Sequence, residues 1–331
     1  MIIDIYTHLF PKRYLADLVA SSAGLGNLTA RMNQVPEVSD LDARFREMDR
    51  HGDYRQIIAL PHPVLEEVAT PEVAARLARL ANDEMAEICR AHPDRFPAFV
   101  ATIALNDVES AVAEIDRAVN DLGARGIQIY TNVAGRPLDL PEFEPVFAAM
   151  ARHDLPIWLH PARTAAMTDY AGEAKSRFEM WWCFGWPYET SVAVSRLILS
   201  GLLDRYPRLK LITHHLGGMI PFFDGRVGPG MAYLGSRTAD EDYSGMIATL
   251  KRPHLEYFRK LHADTAMFGG TSGFPSGFDF FGAEQIVFAS DAPFGPIDAS
   301  IEALARYPLS DSQRHAVMQG NAERLLGMTF T

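Results

Sequence analysis

Histidine and aspartate recur in this sequence at one kind of place, the C-terminal end of a short apolar run. His8 follows IIDIYT, His160 closes PIWLH, His214 and His215 follow KLIT, and Asp291 follows QIVFAS. Three or more nitrogen and oxygen donors converging on one point suit a catalytic zinc or similar divalent ion, with a position left open for water or substrate. Any one of these histidines alone reads as a strand cap bonded to backbone. Together on one rim they read as a site. Tyr6 is the odd member. On an extended strand Tyr6 and His8 face the same way and Thr7 the other, but a neutral tyrosine is a poor ligand beside histidine. The pair is half of a metal site, a rebuilt one, or a strand end with a buried ring. Neighbours on a strand face opposite ways, so only one of His214 and His215 is expected to enter the site, and alternation does not say which.

The runs that carry these residues belong to a regular series. Strands are expected at 2–6, 56–61, 99–105, 126–132, 156–161, 210–217, 261–267 and 285–291, with helical patterns between them. In 71–96, Val73, Leu77, Leu80, Met85 and Ile88 share one helical face, and His92-Pro93 ends the helix. Eight strand–helix alternations favour an α/β fold of the closed (β/α)8 barrel type over an open doubly wound sheet. The strands are continuously apolar, as burial on both faces requires. No repeat, low-complexity tract or linker divides the chain, so one domain is expected over 1–331. Two stretches exceed an ordinary loop, 11–40 after the first strand and 218–260 after the sixth, where barrels build substrate sites and subunit contacts. His8, His160, His214, His215 and Asp291 then all fall at C-terminal strand ends, the face on which barrel enzymes place their sites.

Composition narrows the partners. A chain with 48% hydrophobic residues and 22% charged ones reads as globular, and a net charge of −11 argues against nucleic acid or an anionic membrane. Cys89 and Cys183 stand far apart without metal or disulfide spacing, which fits a reducing cytoplasm. No secretion signal and no run long enough to cross a bilayer is seen. No P-loop, dinucleotide fingerprint or serine elbow occurs, and the glycine-rich GGTSG at 269–273 reads as a loop.

The x-T-H of the first strand, the segment WPYETSVAVSRLILSGLLDRYPRLKLITHHLGG at 186–218, the SDAPFG after the eighth strand and the closing GNAERLLGM resemble the amidohydrolase-related decarboxylases, in the subgroup of aminocarboxymuconate-semialdehyde and γ-resorcylate decarboxylases. The resemblance spans nearly the whole chain in order. It implies a metal set of His8, His160 and Asp291, with Tyr6 standing where the family has the first histidine of H-x-H. The H-x-G-G histidine of the family falls on His215, which takes a catalytic role and leaves His214 as its structural partner. The fourth strand, GIQIYTN, has Gln128 and Tyr130 where wider relatives carry a bridging lysine, so a single ion is expected, zinc first and manganese second. Arg44 in R-F-R-E-M-D and Arg226 in G-R match arginines that bind substrate, the second from a neighbouring subunit. A guanidinium fork suits a carboxylate.

At Tyr6 the sequence departs from the pattern. It hydrogen-bonds or protonates substrate beside the ion, ligates as phenolate if the ion lowers its ordinary pKa of about 10, or marks a metal weakened or lost. Trp186 is expected to wall a flat unsaturated substrate, and Arg163, in HPAR, to grip a carboxylate. His62, in LPHP, either lines the mouth or caps its strand. The function expected is a metal-dependent, non-oxidative decarboxylase of an aromatic or muconate-like acid, with Asp291 as a partly buried proton donor of raised pKa and His215 steadying charge. The alternatives are a hydrolase or hydratase using metal-activated water and, behind it, a metal-free or binding-only barrel. A homodimer or dimer-based oligomer is expected if Arg226 crosses between subunits.

Overall fold

The computed structural model describes residues 1–22 and 25–330. Its principal strands, in chain order, are β1 (Ile2–His8), β2 (Tyr54–Ala59), β3 (Ala98–Phe99 with Ala101–Thr102), β4 (Ile127–Tyr130), β5 (Pro156–His160), β6 (Lys210–Thr213), β7 (His262–Asp264) and β8 (Ile286–Val287). All neighbouring pairs are parallel, in two ladders that share β3. Ala98–Phe99 pairs with β2, and Ala101–Thr102 pairs with β4, from which the order runs on through β5, β6 and β7 to β8. Parallel pairing demands long crossovers, and helices such as Val108–Asn120 and Gly185–Leu199 supply them. First and last strands also meet, through Ile5 N donating to Phe288 O at 3.0 Å and His8 N to Ala292 O at 2.7 Å. The architecture is a mostly parallel α/β fold of the kind expected.

The helix Pro71–Ala91 stops at His92, as the His-Pro pair dictates. It buries Leu77 and Met85 with small alanines between them, a face narrow enough to lie close on the sheet. Asn82 sits in that face and repairs the break in β3. Its amide donates to Thr102 O and accepts from Thr102 N, both at 2.9 Å. A separate apolar cluster includes Ile3, Ile5, Tyr6, Ile57, Val100, Trp158, Ile212 and Val287. The Trp158 indole donates to Ile5 O at 3.1 Å, so the largest ring of that core is both packed and satisfied. Truncating it to alanine is expected to cost roughly 3–5 kcal/mol.

β1 carries an irregularity. Asp4 pairs with Gln56 but Thr7 with Ile58, so β1 spends one extra residue between them. Such a bulge re-aims side chains beside functional sites, and here it falls at Tyr6. The stretch 11–40 contains helices Lys12–Ser21 and Gly26–Gln34, and 218–260 contains the short helices Asp224–Val227 and His254–Arg259. A third long connection, unanticipated, runs from 161 to 179 after β5 without a helix or strand. Among the described residues no helix is long and apolar enough to cross a membrane.

Candidate active site

Ring by ring, the strand ends converge. Tyr6 lies 4.9 Å from His8, 5.9 Å from His160 and 4.7 Å from His214, centroid to centroid. The Asp291 Oδ1 atom is 3.0 Å from His8 Nε2 and 3.7 Å from His214 Nε2. His8, His160, His214 and Asp291 are all buried.

Hydrogen bonds fix which face each imidazole offers. His8 donates from Nδ1 to Leu60 O at 3.3 Å, and His160 from Nδ1 to Pro161 O at 2.8 Å. His214 donates from Nδ1 to Asp264 Oδ2 at 2.6 Å. In each case Nε2 is the nitrogen left toward the centre. A carboxylate or carbonyl behind the imidazole is the usual way to orient a metal-binding histidine.

Both histidines of the T-H-H-L-G-G stretch enter the site, which corrects the expectation that only one would. β6 ends at Thr213, so strand alternation no longer applies at 214 and 215. His215, Leu216, Gly217 and Gly218 follow with φ of 55°, 54°, 80° and 65°, a left-handed turn that swings the second ring beside the first, 3.7 Å away. Glycine is needed at 218 because a Cβ there would come within 2.6 Å of Pro187 O. His214, read from sequence as a structural partner, has an unbonded buried Nε2, and His215 an unbonded buried Nδ1. With Asp291 these residues bring one donor atom each within 4.8 Å of one another. Buried nitrogens without partners beside a carboxylate are a donor set that fits a divalent cation.

Asp264 and Gln128 complete the support. Besides His214, the Asp264 carboxylate accepts from the backbone nitrogens of His215, at 3.0 Å, and Ala266, at 3.1 Å. The sequence reading passes over Asp264, although an aspartate inside the apolar LHADTAM was the available signal. Gln128 accepts the Tyr6 hydroxyl at 2.7 Å and donates to Leu60 O and to the Tyr130 hydroxyl, each at 3.0 Å.

Charge distribution follows from burial and these partners. Burial and the nearby Tyr130, Asp264 and Asp291 push the Tyr6 phenol well above its ordinary value, so it is neutral. Burial and the His214 charge bring His215 down to about 3, and burial holds His160 well below the ordinary histidine value. For His214 burial acts downward too, but Asp264 and Asp291 outweigh it and lift the ring to about 10. Burial alone would raise Asp291, yet the facing His214 and His8 imidazoles overcome it and hold the carboxyl well below its usual range. The expectation of a raised Asp291 is thus corrected in this state. It is buried more fully than the partial burial expected, but two imidazoles face it.

Trp186 borders the histidines, stacked on His62 at 5.4 Å and 11°, on His215 at 6.2 Å and 26°, and edge-on to His160 at 5.4 Å. Its indole donates to Arg163 O at 3.2 Å. His62 therefore lines the mouth, with Nε2 3.2 Å from Pro161 O and 3.3 Å from His160 Nδ1. Arg163 itself is committed. Its guanidinium pairs with Glu189 at 2.9 Å and donates to Thr168 O at 3.1 Å, so the expected carboxylate grip is replaced by a fixed ion pair. Arg44 is buried, and its guanidinium reaches His8 O and Gln56 rather than the mouth. Arg226 is exposed on the helix Asp224–Val227, over the Phe223 ring at 5.5 Å.

This constellation on a parallel α/β frame belongs to a recognised class. Residues 3–328 match the amidohydrolase family, and the chain is a member of it. Within that family it is 31% identical over 297 residues to the gamma-resorcylate decarboxylase of a Rhizobium species, covering 86% of each chain. The crystal structure of 5-carboxyvanillate decarboxylase from Sphingomonas paucimobilis superposes with a TM-score of 0.82 at 28% identity, over 99% of both chains. A dihydroxybenzoic acid decarboxylase from a Polaromonas species, solved with bound manganese and the inhibitor 2-nitroresorcinol, gives a TM-score of 0.81 at 26% identity, over 98% of this chain and 96% of that one.

Proposed function

We propose that the protein is a metal-dependent, non-oxidative decarboxylase acting on a hydroxylated aromatic carboxylic acid. The observation that carries this is the Asp291 carboxylate, buried at the meeting point of His8 Nε2 and His214 Nε2. His8, His160 and Asp291 are the proposed ligands, with the unpartnered His214 Nε2 as a fourth. A divalent ion held there would supply Lewis acidity toward the substrate's oxygens. Manganese, present in the Polaromonas relative, is a stronger candidate than sequence alone suggested, with zinc the other.

The remaining steps belong to side chains. Trp186 and His62 present ring faces against which a flat acid can stack. Tyr6 stays a neutral phenol with its proton on Gln128, so its oxygen is placed to accept from a substrate hydroxyl. Asp291 takes up a proton as substrate fills the site and delivers it to the ring carbon bearing the carboxylate. The bond to the carboxylate then breaks, carbon dioxide leaves and its electron pair returns to the ring. Water restores the proton on Asp291. His215, neutral beside His214, donates to the charge that gathers on the substrate oxygens.

The bond from Ile5 N to Phe288 O supports closure of the eight strands into a single barrel domain over the whole chain. Tyr170, Phe178, Phe184, Tyr188, Phe222, Tyr233 and Phe268 are exposed rings, all on connections and helices after β5, β6 and β7. Exposed rings on these connections, Phe222 and Tyr233 on the same one as Arg226, favour a homodimer in which that arginine reaches the neighbour's substrate. The acidic chain and its unpaired cysteines favour a cytoplasmic setting. Hydrolysis by activated water is disfavoured because the relatives described above are decarboxylases. The test is carbon dioxide release from a panel of hydroxybenzoates and muconate semialdehydes by protein loaded with manganese or zinc. Release from at least one hydroxybenzoate, abolished by chelator, is expected. None from any member contradicts the reading.

A further inference from the structure

Arg44 is 2% exposed, and a buried guanidinium must find partners or pay a large desolvation penalty. It lies in the helix Leu41–Met48, whose first turn is fixed by Asp40 accepting from Asp42 N and Ala43 N. Among the described residues no carboxylate hydrogen-bonds it directly. Nη1 donates to His8 O at 2.5 Å and Nε donates to Gln56 Oε1 at 2.7 Å. Burial lowers it to about 10, which leaves it charged at neutral pH.

From Gln56 the contacts continue without a break. Its amide donates to the Tyr54 hydroxyl at 3.1 Å, and Tyr54 donates to Asp4 Oδ2 at 2.5 Å. Asp4 also accepts from Ser290 twice, from its hydroxyl and from its backbone nitrogen, the latter at 3.1 Å. The Ser290 hydroxyl accepts from Ala292 N at 3.1 Å, and His8 N donates to Ala292 O at 2.7 Å. The path thus returns to its start, and every side chain on it is buried. It passes through the backbone on both sides of Asp291 and through the carbonyl of His8, so it ties together the strand ends that bear these two groups.

A substrate carboxylate is poorly served by Arg44. Its one unbonded nitrogen, Nη2, belongs to a residue lining a cavity of about 200 Å³ that Glu37 and Glu47 also line, and none of the mouth histidines does. An anion there would face two carboxylates. We propose that Arg44 is a positioning residue, which through Gln56, Tyr54, Asp4 and Ser290 holds His8 and Asp291 at the separation a divalent ion requires. The proposal rests on the metal site proposed above but not on the identity of its substrate.

Arg44→Lys and Tyr54→Phe test it, with the manganese Kd from titration calorimetry, KM and kcat as readouts and circular dichroism as the check on folding. Tyr54 has no contact with the mouth, so its variant carries the test if Arg44→Lys does not fold. Support behind metal ligands typically contributes 10- to 100-fold in affinity. The expected result is a manganese Kd raised about tenfold or more in both variants, lower kcat at limiting metal, and KM for the carboxylate within about twofold of wild type. A KM raised tenfold in Arg44→Lys with an unchanged manganese Kd would make Arg44 a substrate ligand and overturn the proposal. An unchanged Kd in Tyr54→Phe would overturn it as well. Wild-type protein that takes up no manganese or zinc would remove the site reading itself, and the proposal with it.

Discussion

On the side of the mouth built by β1, β7, β8 and the end of β6, Asp4, His8, His214, Asp264, Ser290 and Asp291 are buried and bonded strand to strand at their polar atoms. On the other side, around Trp186 after β5, the rings of His62 after β2 and His215 after β6 stack on the indole, and Trp182 leans on Phe268 at 6.2 Å. Outside that stack stand exposed rings such as Phe178 and Phe184. Directional bonds fix atoms to a fraction of an ångström, as proton transfer and metal ligation require. Stacked rings are held by area and shape, and they accommodate a change of substrate more readily. The chemistry is thus assigned to the bonded side and the choice of substrate to the stacked one.

Substitutions on the two sides should therefore separate in kind and in size. Asp291→Asn removes the proposed proton donor. It should lower kcat by about 10²- to 10⁴-fold, read as carbon dioxide release, with KM changing far less. A comparable fall from Trp186→Ala would break the division.

Asp4 provides a stability test on the bonded side. Burial raises its carboxyl to about 6 against hydrogen bonds from Ser290, Tyr54 and the Tyr6 backbone. The folded protein therefore holds the proton more tightly than the unfolded chain. The stabilisation this gives is complete below the unfolded value near 4 and is lost as pH rises through about 6. A shift of about two units corresponds to about 3 kcal/mol. Urea unfolding between pH 4 and pH 7 should show that decline, and Asp4→Asn should flatten it.

Asp264→Asn keeps the shape behind His214 but weakens its acceptor. It should raise the manganese Kd roughly 10- to 100-fold by calorimetry while leaving KM at saturating metal near wild type. Trp186→Ala is expected to have the smallest effect and the opposite signature. Loss of a stacking face worth about 0.5–1.5 kcal/mol should raise KM roughly 2- to 10-fold, with metal affinity unchanged.

The eight strands could be located from sequence because strands buried on both faces leave continuous apolar runs, such as QIIALP and QIVFASD. Their ends were less legible. KLITHHLG reads as one strand to residue 217, but the left-handed turn from His215 to Gly218 ends the alternation at Thr213, and only backbone geometry shows it. That is why His214 and His215 could not be sorted by facing. The groups at the strand ends, His8, His160 and Asp291, were visible as residue types in a pattern. Their supports were not. Asp264 lies 50 residues from His214 and Glu189 lies 26 from Arg163, and nothing local in the chain links either pair. Likewise, R-F-R-E-M-D reads equally well as an exposed helix, and only its packing against β1 shows that Arg44 is buried.

The most direct test of the reaction is to run it in deuterated, oxygen-18-labelled water on a hydroxybenzoate that the protein consumes, and to examine the aromatic product by mass spectrometry and proton NMR. Decarboxylation with Asp291 as donor predicts one solvent deuterium on the carbon that carried the carboxylate and no oxygen-18 in the ring product. Oxygen-18 in that product, with the carboxylate retained, would contradict decarboxylation and assign the site to activated water instead.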